Sequence, residues 1–128
     1  MPEHVLAGQE RTYLTFFFTG FAYHKTAFTP AELDEFVRAY SAPGALGASL
    51  EPFRTFALSA AQNLVSARTK LLMPVLALGR QYSFGPHMVA MVQTVGEDVR
   101  GGSVPDCGHW IAEENPAYLL SQLTAFLP

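Results

Sequence analysis

Pro74-Val75-Leu76-Ala77-Leu78-Gly79 is an unbroken apolar run closed by a glycine. A run this short and this apolar suits a strand buried on both faces, as in a parallel sheet. Downstream, Pro86 to Val95 carries Met88, Val89, Met91, Val92 and Val95 at helical density. Val99 to Val104 then reads as a second short strand, weakened by Gly101 and Gly102. Strand, helix and strand in this order make one β-α-β unit with two parallel strands. Asn115-Pro116 opens a last helix, with Asn115 as cap, whose apolar face is Leu119, Leu120, Leu123, Phe126 and Leu127. Trp110 to Glu114 reads as a turn before it.

Upstream the texture is helical. Gln9 to Phe18 is rich in aromatic and apolar residues, and Thr19-Gly20 is expected to end that helix. Thr29-Pro30-Ala31-Glu32 is a helix start with a capping box: Thr29 caps, Pro30 suits the first position and Glu32 reaches back. Leu33, Phe36, Val37 and Tyr40 follow at helical spacing. Ser41-Ala42-Pro43-Gly44 breaks the chain. One further helix is expected over Ala45 to Ala60, with Leu46, Leu50, Phe53, Phe56 and Ala57 on one face. The expected division is 1–70 as a helical segment and 71–128 as the β-α-β unit plus a C-terminal helix.

Of the 128 residues, 49% are apolar and only 15% charged, and the net charge is −3. The length predicts one domain. The charge offers nothing to nucleic acid or to an anionic membrane. The most apolar stretch, Tyr13 to Ala22, is far short of the ~20 residues a membrane span needs. Met1 to Glu10 lacks the pattern of a signal peptide, and the single cysteine, Cys107, cannot form an internal disulfide. These features point to a cytoplasmic protein. So apolar a chain, with only two parallel strands, implies a homo-oligomer or a complementary chain to cover its sheet edges.

The chemistry concentrates in Cys107-Gly108-His109-Trp110-Ile111-Ala112-Glu113-Glu114-Asn115-Pro116. Here a histidine sits on the loop after the last strand, at the carboxyl end of a parallel sheet, where such sheets place their ligand sites. Imidazole is the side chain best matched to proton transfer near neutral pH. Cys107 is too close along an extended chain to pair with His109, and reads as a small buried apolar group. Tyr13, Phe16, Phe17, Phe18, Phe21 and Tyr23 either line a pocket or form plain core. His24 and Lys25 read as solvated, though His24 can reach a ligand. Glu113 and Glu114 read as anions serving the start of the last helix. His4, His24, His87 and His109 have no metal-ligand spacing, so no metal and no cofactor is expected.

Taken in order, Pro74 to Gly79, Gly108-His109-Trp110, Glu114-x-Pro116 and Phe126-Leu127 resemble the end of an α/β-hydrolase of the epoxide hydrolase and haloalkane or haloacetate dehalogenase branch. The segment Ala39 to Ala45 and Pro52-Phe53-Arg54 is similar to that branch's helical cap. The resemblance implies a partial α/β-hydrolase fold and assigns His109 the role of general base, which activates water against a covalent ester intermediate. It implies a pocket between cap and sheet formed by Tyr13, Phe17, Tyr23, His24, Phe53 and Trp110. Its ligand would be a small apolar ester, epoxide or organohalide. Three departures accompany it. No Gly-x-Asp/Ser-x-Gly nucleophile elbow occurs in the 128 residues. Arg80-Gln81-Tyr82-Ser83-Phe84 carries no carboxylate where relatives place an acid. Phe53 stands where relatives often have a tyrosine, and it cannot donate a hydrogen bond. Loss of a nucleophile removes on the order of 10⁶ in rate. The chain is therefore expected to be inactive alone and a hydrolase only with a complementary N-terminal half. The alternative is a non-catalytic homo-oligomeric binding or assembly module.

Overall fold

A computed structural model describes residues 2–128, and Met1, part of the N-terminal stretch read above, lies outside them. Five helices come first: α1 (Pro2–Leu6), α2 (Glu10–Phe21), α3 (Pro30–Tyr40), α4 (Ala45–Arg54) and α5 (Phe56–Ser66). Then follow β1 (Val75–Arg80), α6 (Gly85–Gln93), β2 (Val99–Val104), α7 (Ile111–Glu114) and α8 (Pro116–Phe126).

The two strands pair in parallel, in register from Val75 opposite Val99 to Arg80 opposite Val104. Helix α6 packs on both. Gly79 faces Gly85 and Met88 of α6 so closely that a Cβ there would lie 2.9 Å from the Gly85 Cα. This covers the face of Ala77 and Gly79, which are buried. Leu76, Leu78 and Arg80 alternate to the other face and stay half-buried. The expectation of a strand buried on both faces therefore holds for one face only, because a single crossover helix covers a single face.

The caps are local and behave as their residues dictate. The Thr29 hydroxyl accepts from the Glu32 N–H, and the Glu32 carboxylate accepts from the Thr29 N–H at 2.7 Å. Asn115 accepts from the Tyr118 N–H at 3.1 Å and starts α8. Three expectations need correction. Helix α2 does not end at Thr19-Gly20 but runs to Phe21. There Thr19 donates its hydroxyl proton to the Thr15 carbonyl at 2.6 Å, satisfied without breaking the helix. The long helix expected over Ala45 to Ala60 is two helices, broken at Thr55. Of the residues expected to share one face there, Leu46 is buried and Phe53 and Phe56 are exposed. Residues 111–114 form a short helix rather than a turn.

The helical part and the strand part meet through aromatic rings. Phe18, buried on α2, stacks on Phe28 at 4.5 Å and meets Phe36 of α3 at 4.7 Å. Trp110 stands edge-on to Phe18 at 4.9 Å and to Phe28 at 5.5 Å. Ala77 and Val104 in the strands, and Cys107 beyond β2, are also buried.

Candidate active site

His109 lies five residues past the end of β2, beyond a backbone reversal. Asp106 adopts a left-handed conformation with φ of 46°, which aspartate tolerates better than most residues. Its N–H donates to the Gln81 side-chain oxygen at 3.0 Å, joining the loops that follow β1 and β2. Gly108 is required by close approach: a Cβ there would fall 2.5 Å from both the Phe21 carbonyl oxygen and the Tyr23 nitrogen. With no side chain in the way, the His109 N–H reaches the Phe21 carbonyl at 2.9 Å. The histidine loop is thereby tied to the end of α2.

Glu114 completes this tie. Its Oε2 accepts the N–H groups of Tyr23 at 2.6 Å and His24 at 2.9 Å. Its Oε1 accepts those of Gly108 at 3.1 Å and Trp110 at 3.0 Å. Partial burial pulls this carboxyl's pKa up, but the four donors outweigh it and hold it below the usual carboxylate range. The reading of Glu114 as an anion for the last helix is thus corrected. The Glu114-x-Pro116 spacing was visible in the sequence, but its partners lie up to 91 residues away.

The exposed His109 imidazole meets the Trp110 ring edge-on at 4.8 Å and the Phe21 ring at 5.9 Å. It borders two clefts. One, of about 200 Å³, is lined by Tyr13, Phe17, Tyr40, Phe53 and Trp110. The other, of about 230 Å³, is lined by Leu78, Gly79, Arg80, Phe84, Met88 and Ile111. Of the six residues expected to form one pocket, Tyr13, Phe17, Phe53 and Trp110 share the first cleft with His109. Tyr23 does not: it stacks on Tyr82 at 5.2 Å and lines a separate cleft with Phe21, Ala22, Arg80 and Gly108. His24 lines none of these clefts, because its segment is turned onto Glu114. Tyr40 and Ser49, also in the first cleft, were not singled out in the sequence. The aromatic stripe divides: Phe18 is core, Tyr13 and Phe17 face the cleft, and Phe16 is exposed.

Among the described residues no carboxylate bonds the His109 imidazole, and no cluster of three or more His, Cys, Asp or Glu is placed to hold a metal ion. The Trp110 Nε1–H is buried without an acceptor. Cys107 is fully buried, and burial pushes its thiol up to about 11. Lys25, read as solvated, donates to the Thr19 and Ala22 carbonyls at 2.7 Å, closing the end of α2. No helix of the described residues is long and apolar enough to cross a membrane.

The chain resembles known proteins in sequence and in backbone. No family model matches the chain. A soluble epoxide hydrolase of Corynebacterium sp. (strain C12) is 33% identical over 104 residues, covering 81% of this chain and 36% of that protein. The crystal structure of Cfl2 from Burkholderia cenocepacia superposes with a TM-score of 0.91 and 36% identity, over 100% of this chain and 44% of that one. The Cif epoxide hydrolase from Acinetobacter nosocomialis superposes with a TM-score of 0.88 and 28% identity, over 99% of this chain and 41% of that one. The chain thus spans about two fifths of the length of the relatives it matches. Its fold is a partial α/β-hydrolase fold, and in sequence and in backbone alike the chain resembles part of an α/β-hydrolase of the epoxide hydrolase-like branch.

Proposed function

We propose that His109 is the general base of a split α/β-hydrolase that acts on small apolar esters, epoxides or organohalides when an N-terminal half supplies the nucleophile and the orienting acid. The observation that carries this reading is the position of His109. It sits at the carboxyl end of a parallel strand, held by the Phe21 carbonyl and by the neighbours that Glu114 clamps, and it faces an apolar cleft. A general base needs such a fixed backbone and a water-accessible ring. The imidazole lacks a carboxylate partner among the described residues, consistent with an acid supplied from outside them. In the reaction so read, the nucleophile would be esterified by the substrate, and His109 would take a proton from the water that hydrolyses the ester.

The test is reconstitution. The chain is mixed with the N-terminal half of a related epoxide hydrolase, and styrene oxide hydrolysis is followed. Turnover is expected only in the mixture and is expected to vanish with His109→Gln. Turnover that survives His109→Gln overturns the assignment.

A second reading, a homo-oligomeric assembly module, is favoured by Phe56, Leu58, Leu64 and Val65 of α5, all more than half exposed. Light scattering behind a sizing column decides it: a monomer removes it.

A further inference from the structure

Arg80 ends β1 at the carboxyl edge of the sheet and is half-buried. Arg11, Arg38, Arg54 and Arg100 each pair with a carboxylate. The Arg80 side chain makes no ion pair or hydrogen bond among the described residues. A guanidinium stays charged at all working pH, and a partly desolvated one is costly without an acceptor for its planar fork of donors.

Two clefts meet at this residue. One holds Phe21, Ala22, Tyr23 and Tyr82, and the other leads to His109. No second lysine or arginine lines either cleft. Asp106 lies within electrostatic reach of Tyr23, and at Cys107 the charge of Arg80 opposes those of Glu113 and Glu114. Glu114 is already engaged by four N–H groups.

We propose that this trench binds the carboxylate of a small organic acid with an apolar or aromatic body, the carboxylate forked on Arg80 and the body against Phe21, Ala22 and the Tyr23–Tyr82 pair. Among the described residues Arg80 is the one lysine or arginine lining the two clefts, and its single charge matches a monoanion. A phosphate dianion would be left with uncompensated charge. Planar, two-point recognition of a carboxylate is what the guanidinium offers. The site requires neither the general base nor a second half, so it stands apart from the hydrolase reading.

The probe is benzoate, titrated into the chain at constant ionic strength with amide resonances observed, and with benzamide as its neutral counterpart. Saturable shifts are expected at Tyr23, Tyr82 and Gly108 with benzoate and not with benzamide. Arg80→Gln should weaken benzoate binding by about tenfold or more, the scale of a charge-assisted hydrogen bond. Asp106→Asn, at an exposed site, should tighten it by removing a nearby negative charge. Equal binding of benzamide, absence of saturable shifts, or benzoate affinity unchanged by Asp106→Asn overturns the proposal. So does a folded Arg80→Gln that binds as the parent does.

Discussion

The carboxylate of Glu114 accepts the backbone N–H of His24 at 2.9 Å across 90 residues of sequence. The same carboxylate holds Gly108 and Trp110 on either side of His109. One acidic side chain thus joins the helical part to the histidine loop. Its four donors are backbone groups, which sequence patterns do not mark.

Glu114→Ala should leave four N–H groups short of an acceptor. A cost of about 2–4 kcal/mol is expected, since the donors of Gly108 and Trp110 are part-buried and each costs roughly 1–2 kcal/mol when left unmade, while those of Tyr23 and His24 are exposed and can turn to water. Urea unfolding measures it, and a change within 0.5 kcal/mol, about that of a neutral surface substitution, would refute it.

The pH dependence follows from the same contact. The folded pKa of Glu114 lies below its unfolded value, so the stability it adds is complete above the ordinary glutamate range. That stability is lost as pH falls through the lowered folded pKa. Glu114→Gln should therefore flatten the acid limb of a stability–pH profile and leave its slope near neutrality unchanged. An acid limb as steep as the parent's would count against the clamp.

Gly108→Ala places a methyl 2.5 Å from the Phe21 carbonyl oxygen and the Tyr23 nitrogen, both backbone atoms. The loop has to move away from α2, and the His109 N–H to Phe21 bond should break. The expected loss is about 2–3 kcal/mol. Faster exchange of the His109 amide proton with deuterium is the readout, and an unchanged rate would contradict it.

Cys107 has no exposed surface, and its thiol is held up at about 11. Reaction with an aromatic disulfide reagent at pH 8 should be slow in the native chain and fast in denaturant, because only the thiolate attacks. Fast native labelling would show that the loop opens freely.

Phe53→Tyr would bring a phenolic donor to the cleft that holds His109, Tyr13 and Tyr40. Phe53 is 69% exposed, so the added hydroxyl should change stability by no more than about 0.5 kcal/mol. In the reconstituted enzyme it should raise kcat/KM for an epoxide several-fold, by hydrogen-bonding the ring oxygen. A lower value would place residue 53 away from the reacting atoms.

The sequence by itself determined the elements that local chemistry controls. The capping box at Thr29, the Asn115 cap, the apolar run of β1 and the span of β2 all rest on interactions within a few residues. The order strand, helix, strand then made the pairing parallel. Tertiary structure decided the rest. Helix α2 outran Thr19-Gly20 because Thr19 could bond back to Thr15. The Phe53 and Phe56 positions separated because the chain breaks at Thr55. Tyr23 left the histidine cleft for Tyr82, and His24 turned onto Glu114, because a carboxylate about 90 residues away collects the backbone N–H groups of both. Such contacts form only once distant segments are brought together, and periodicity and caps report only on near neighbours.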